Sequence, residues 1–232
     1  MTRSDCGGLY MAVANAMTLL RPSGAMWLDA ARALVVADLH FEKGSFFAAK
    51  TGQMLPPYDT GDTLDRLEAE IDALAPAVVV CLGDSFHDAE GEARLSPHDA
   101  RRIARLGAGR TLVWIAGNHD EEVPFSLAGE VADELAIGGL LLRHEPQPGA
   151  QDGEAAGHLH PCAKVSHRGV QVRRRCFVTD GTRIVLPAFG SFTGGLNVRD
   201  VAYAALFGSA PVAVALGKDR VHAVGWKSLR PD

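Results

Sequence analysis

The stretch Val78-Val79-Val80-Cys81-Leu82-Gly83-Asp84 sets the reading of the fold. An apolar run with no polar alternation suits a strand covered on both faces, and Gly-Asp ends it abruptly. Ala33 to Ala37, followed by Asp38, and Thr111 to Ala116, followed by Gly117-Asn118, read the same way. Between these strands lie helical patterns. Asp62 to Leu74 places Leu64, Leu67, Ile71 and Leu74 on one face, and Pro76 ends it. Ser96-Pro97 reads as an N-cap with proline in the first turn, followed by Asp99, with Ile103 and Leu106 inward and Arg101, Arg102 and Arg105 outward.

Outward from this centre the texture changes. Ala25 to Leu28 reads as a strand, and Leu9 to Leu20 as a first strand rather than a signal peptide. Asp5 sits where a signal would be basic, and Ala14-Asn15-Ala16 falls inside the apolar run. Beyond residue 138, Gly139 to Arg143, Val170 to Val178, Arg183 to Leu186, Pro211 to Leu216 and Val221 to Trp226 read as strands with short connections. Ser45 to Gly61 and Glu145 to Ala156, rich in Gly, Pro and polar residues, read as loops. Strand–helix repeats followed by mostly strands predict an α/β body with two packed sheets. No linker composition divides the 232 residues, so 1–232 is read as one domain.

The formal net charge of −5 gives no general basic excess, so any nucleic-acid contact must be local. Cys6, Cys81, Cys162 and Cys176 match neither a zinc ribbon nor a disulfide scaffold, which favours a reducing, cytoplasmic setting. No apolar stretch reaches transmembrane length, so no membrane partner is expected.

The unusual chemistry sits in five short segments: Asp38-Leu39-His40, Gly83 to Asp88, Gly117-Asn118-His119-Asp120, Arg143-His144-Glu145 and Gly157-His158-Leu159-His160. They hold six of the nine histidines. Asp38, Asp84 and Asn118 each follow a buried strand, and parallel strands bring such ends to one edge, where α/β sheets collect ligands. Asp38 and His40, two apart, share a side of an extended chain, as do His158 and His160. Nitrogen and oxygen donors without thiolates suit Mn, Fe, Zn or Ni. Singly, each residue has a plainer explanation: Asp38 as a helix cap, His144 as an ordinary histidine, Asn118 and Gly157 as turn residues. In this order and spacing the plain explanations no longer suffice together.

The order D-x-H, G-D, G-N-H-D, H, G-H-x-H resembles the calcineurin-like metallophosphoesterase superfamily over Asp38 to His160. The wider text, Val36 to Gly44, Gly83 to Asp88, Gly157 to Pro161 and Leu186 to Asn197, resembles its DNA ligase-associated branch. The resemblance implies a four-layer α/β/β/α sandwich with two mixed β-sheets flanked by helices. It implies two divalent ions, Mn2+ foremost, one held by Asp38, His40, Asp84 and His160. The other would be held by Asp84, Asn118, His144 and His158, with Asp84 bridging. It further implies hydrolysis of a phosphodiester by a metal-activated hydroxide. His119 would protonate the leaving oxygen or stabilise its charge; Asp120 either orients that imidazole or caps a helix. The DNA ligase-associated branch implies DNA as substrate and a place in DNA repair beside a ligase and a helicase. A small diester, nucleotide or pyrophosphate is the alternative substrate, and a non-catalytic scaffold the alternative class. A homo-oligomer stays open.

One departure is informative. Many superfamily members read G-D-x-x-D-R-G where this chain has His87-Asp88, so the arginine that would grip a terminal phosphate is missing. That puts phosphoprotein phosphatase activity in doubt and is compatible with a diester; His87 either contacts phosphate at the site, the favoured reading, or is structural. Arg143 reads as a surface arginine. Arg173-Arg174-Arg175, with Arg168, either meets a polyanion or guards a strand edge, with Arg173 and Arg175 on one face. Phe189 to Asn197 reads as a glycine-rich loop beside the site or as a simple turn.

Overall fold

The computed structural model describes residues 1–52, 58–118, 127–167 and 169–232. The first sheet runs β1 (Thr2–Arg3), β2 (Leu9–Val13), β3 (Ala16–Leu20), β4 (Met26–Leu28), β5 (Ala33–Ala37), β6 (Val78–Leu82), β7 (Thr111–Ile115) and β8 (Glu130–Ala132), in sequence order. It is antiparallel as far as β5 and parallel from β5 to β8. The second sheet contains β9 (Glu134–Ile137), β10 (Leu140–Arg143), β11 (Glu154–Ala156), β12 (Pro161–His167), β13 (Val170–Thr179), β14 (Ile184–Val185), β15 (Leu196–Asn197), β16 (Val212–Leu216) and β17 (Val221–Gly225). Its order is β15-β12-β13-β14-β11-β10-β9, with β16 and β17 attached through β13. It too mixes parallel and antiparallel pairs.

The uniformly apolar strands are explained by two different cores. Val35 and Ala37 of β5, Val80 and Leu82 of β6, and Val113 and Ile115 of β7 face the second sheet, meeting Leu142, Ala155, Phe177, Ile184 and Val214. Their neighbours Leu34, Val36, Val79, Cys81, Leu112 and Trp114 face outward, onto Leu64, Leu67 and Ile71 of α2 (Asp59–Leu74) and Ile103 and Leu106 of α4 (Pro97–Leu106). Period-two alternation therefore persists, but between two dry environments. The outer face of the second sheet is covered more thinly, by segments carrying Val198, Tyr203, Leu206 and Leu229, two of them in or next to short 3-10 turns. The result is two mixed sheets face to face with flanking helices. No helix among the described residues is long and apolar enough to cross a membrane.

Ser96 caps α4 as its sequence predicts: its hydroxyl accepts from the Asp99 amide at 3.0 Å. Three expectations need correction. Leu9 to Leu20 is a hairpin, not one strand: Ala14 takes a left-handed φ of 47° and the chain returns from β2 as β3. Ser45 to Gly61 is not simply a loop. Helix α1 (Lys43–Thr51) occupies its start, and α2 begins at Asp59 rather than Asp62. The Asp59 carboxylate accepts from the Gly44 amide at 2.8 Å and so ties the two helices together. The last three residues of the expected loop Glu145 to Ala156 form β11. Its Glu154 is buried against Arg183 at 3.2 Å, a charge that conceals a core strand from a hydropathy pattern.

Phe177 is fully buried between the sheets, whereas Val201 is 84% exposed. Phe177→Ala is expected to destabilise the protein by about 3–5 kcal/mol. Val201→Ala should stay within about 0.5 kcal/mol. Urea unfolding midpoints read both.

Candidate metal centre

The parallel strands β5 and β6 continue their pairing past their ends. Asp38 N donates to Gly83 O at 3.2 Å, His40 N to Asp84 O at 2.9 Å and Phe41 N to Ser85 O at 2.9 Å. Asp38 and Asp84 thus leave adjacent strands at the same level, one beside the other. Asn118 follows β7 on the far side of β6. His144 follows β10 and His158 follows β11, so both sheets contribute to one edge.

The expectation that Asp38 and His40 share a side because the chain is extended is wrong in its mechanism. Both residues are left-handed, as are Glu42, Asp84, His158 and His160, with φ between 44° and 66°. Such backbone costs on the order of 1–3 kcal/mol per non-glycine residue. Neighbouring groups hold it in place. The His158 amide is 3.1 Å from both oxygens of Asp38, Gly157 N donates to His144 O at 2.9 Å, and Gly190 N donates to Asp38 O at 3.1 Å. Two glycines are obligatory for space. A Cβ on Gly83 would collide with the His144 imidazole, and one on Gly157 would crowd the Asp38 carboxylate.

The donor atoms gather in two overlapping groups. Asp38, His40, Asp84 and His160 each offer an atom within 4.8 Å of the others, and so do Asp84, His144 and His158. Asp84 belongs to both: Oδ2 is 3.7 Å from His40 Nε2, while Oδ1 is 3.3 Å from His144 Nε2. His160 Nε2 lies 3.3 Å from Asp38 Oδ1. Asn118 joins the second group, its Oδ1 2.9 Å from His144 Nε2. His144 Nδ1 is 3.3 Å from Leu82 O, an arrangement that orients the ring and turns Nε2 toward the cluster.

These residues fit divalent cations. His40 Nε2 and His160 Nε2 approach to 3.2 Å, and so do His158 Nδ1 and His144 Nε2. Converging nitrogens at this distance match the edge of a coordination polyhedron with bonds of about 2.1 Å, which is roughly 3.0–3.4 Å. Asp38 and Asp84 are buried and face imidazoles. Burial, and then neighbouring His144, hold the His158 imidazolium pKa below its ordinary value, so this ring is biased toward the neutral form that binds metal. Two buried carboxylates among such rings leave negative charge that a cation offsets.

His87 lies outside both donor groups. Its ring centroid is 5.5 Å from that of His40, and it stacks on Phe47 and meets Phe46 edge-on. His119 and Asp120 lie outside the described residues, as does Arg168. Arg143 pairs with Glu134 at 2.9 Å and approaches Glu154 at 3.6 Å. The glycine-rich segment does run beside the site: Phe189 N donates to Ala37 O at 2.7 Å. Arg175 fastens it, donating to Ala188 O, Ser191 O and Thr193 O at 3.0, 2.9 and 3.2 Å, while Arg173 reaches Gly195 O at 2.5 Å. Arg66, which the sequence gave no reason to notice, donates to Phe189 O at 2.5 Å.

The chain is similar to solved structures. The solved structure of Pseudomonas putida nuclease MPE aligns over 94% of this chain and 100% of its own, at 30% identity and a TM-score of 0.71. Yfce, a phosphoesterase from E. coli, aligns over 83% of this chain and 98% of its own, at 14% identity and a TM-score of 0.41. No curated protein matches by sequence. The calcineurin-like phosphoesterase family model matches residues 31–168, the span that carries every donor described above. The chain belongs to the calcineurin-like phosphoesterase family, metal-dependent hydrolases that use divalent cations.

Proposed function

We propose that this protein is a dinuclear phosphodiesterase that cleaves nucleic acid. The observation that carries the reading is Asp84, whose two carboxylate oxygens turn toward different donor groups. A carboxylate so placed can hold two cations close together and screen their repulsion. In this assignment Asp38, His40 and His160 complete one site, and Asn118, His144 and His158 the other, with Mn2+ the foremost ion. Such ions, when bound, polarise a phosphoryl group and lower the pKa of a water.

The chain's own groups divide the remaining work. Asp38 accepts from the His158 amide, so the carboxylate of one site also fixes the backbone of the other. The Leu82 carbonyl sets the ring of His144. We assign to His119 the proton delivered to the leaving oxygen, because it follows Asn118 directly in sequence. His87 would line the substrate side of His40. Asp88, which stands where many relatives carry the phosphate-gripping Asp-Arg pair, is ion-paired with Arg94. That supports a diester over a monoester.

Nucleic acid is favoured over a small diester by the Pseudomonas nuclease, which is 30% identical over nearly the whole chain. The wider text around Leu186 to Asn197 supports the DNA ligase-associated branch, and with it a cytoplasmic role in DNA repair beside a ligase and a helicase.

Metal-depleted protein should lose hydrolysis of bis-p-nitrophenyl phosphate and regain it with Mn2+, with about two ions per chain by elemental analysis. Asp84→Asn should lower kcat/KM about a thousandfold while circular dichroism is unchanged. p-Nitrophenyl phosphate turned over faster than the diester would overturn the substrate assignment. For His119→Ala, the expected loss is about a hundredfold on a diester with an alkoxide leaving group and far smaller with p-nitrophenolate, which needs no proton. Equal losses on the two substrates would remove His119 from that role.

A further inference from the structure

Helix α1 starts two residues after Phe41 and packs on His87, whose ring adjoins that of His40. Its sequence Lys43-Gly44-Ser45-Phe46-Phe47 places Lys43, Phe46 and Phe47 on one face, at i, i+3 and i+4. The two phenylalanines belong to none of the three hydrophobic cores, and both stay only half-buried. They pack instead on His87. The Phe46 ring meets it edge-on at 4.6 Å and the Phe47 ring stacks on it at 5.7 Å with 27° between planes. His87 in turn meets His40 at 5.5 Å. A continuous aromatic wall therefore leads from a candidate metal ligand out to solvent.

Beside this wall lies positive charge bonded to neutral groups. Arg175 and Arg66 donate to carbonyls of the 188–193 segment and to the Ser191 hydroxyl. Lys43 adds a third cation, close enough that Arg175 lowers its pKa, second only to burial. Arg175 likewise adds to the burial that lowers Arg66 to about 10. Asp59 opposes this at Lys43 and Asp62 at Arg66, each by less than Arg175 does.

We propose that the Lys43–Phe46–Phe47 face, with His87, is a stacking platform for an unpaired base of a single-stranded polynucleotide whose phosphodiester lies at the metal centre. Aromatic faces accept any base but cannot reach one that is stacked in a duplex. Lys43, on the same helical face, takes a flanking phosphate, while Arg66 and Arg175 stay bonded to the 188–193 segment. The inference rests on the phosphodiesterase reading for what happens at the metals, but not for binding.

Binding can be read without turnover, by fluorescence anisotropy of the metal-loaded protein. The probes are a labelled phosphorothioate oligodeoxythymidylate, the same oligomer carrying abasic residues, and a duplex of equal length. Abasic substitution should weaken binding to the wild type about tenfold, and that penalty should vanish in the Phe46→Leu/Phe47→Leu variant. Leucine keeps an apolar side chain on the helix, and the wild-type comparison needs no variant at all. Equal binding of both oligomers by the wild type, persistence of the penalty in the variant, or a duplex bound as tightly as the single strand would each overturn the platform. A protein that shows the penalty yet cleaves no diester would instead refute the hydrolase reading and leave this one standing.

Discussion

Two carboxylates, Asp38 and Asp84, are buried at the ends of neighbouring parallel strands, and most of what is unusual nearby serves to hold them there. Burying two like charges side by side is costly unless cations or hydrogen bonds compensate. Four imidazoles from three segments converge on the pair, a main-chain amide from His158 bonds Asp38, and left-handed backbone recurs at five of the seven proposed donors. Strain of this kind persists only where the surroundings over-determine it. Here the surroundings are the rigid ends of β5 and β6, whose register continues through Phe41 and Phe86 as an isolated bridge.

The same constraint explains why the second sheet matters to the site. Its strands β10 and β11 deliver His144 and His158, and their positions are fixed by the core shared between the sheets. The 188–195 segment then closes the assembly from behind. It bonds the carbonyls of Ala37 and Asp38 and is itself fastened by Arg175 and Arg66. Arginine suits this task because its planar donors can satisfy several carbonyls that a tight, glycine-rich segment leaves without ladder partners. The arginine run on β13 is therefore not a uniform basic patch. Arg173 and Arg175 lie toward this segment, and Arg174 turns to the Arg173 carbonyl.

How far the sequence was legible follows from what each element records locally. Strands β5, β6 and β7 are dry on both faces, so their apolar runs are unbroken and the residues that end them stand out. The donors named from those endings and from the two histidine segments are the groups that the structure brings together. The backbone beneath them was not legible: nothing in Asp38-Leu39-His40 announces alternating left-handed residues, which the paired strand, the close approach of Gly157 and the amides of His158 and Gly190 sustain. Helix α1 was obscured by the glycines and prolines around it, and β11 by a glutamate whose partner, Arg183, is distant in sequence. The β2–β3 turn at Ala14-Asn15 was masked by the apolar run on either side, although Asn15 is a turn former. The misses at α1 and β11 reflect a tertiary contact outweighing a local preference.

The replacement of an Asp-Arg pair by His87-Asp88 shows how one local change redirects a site. Asp88 engages Arg94, and Arg94 also donates to the Ser45 hydroxyl on α1 at 3.0 Å. A segment that in many relatives offers a cation to phosphate is here a brace between the Asp84 loop and α1. With that brace in place, His87 is seated among Phe46, Phe47 and His40, and the mouth of the centre gains an aromatic side in place of a cationic grip. A terminal phosphate, doubly charged, gains most from a fixed guanidinium. A diester carries one charge and two organic substituents, so apolar and stacking surface beside the donors can contribute to its binding. The same exchange of residues braces α1 against the Asp84 loop and is compatible with the diester reading proposed above.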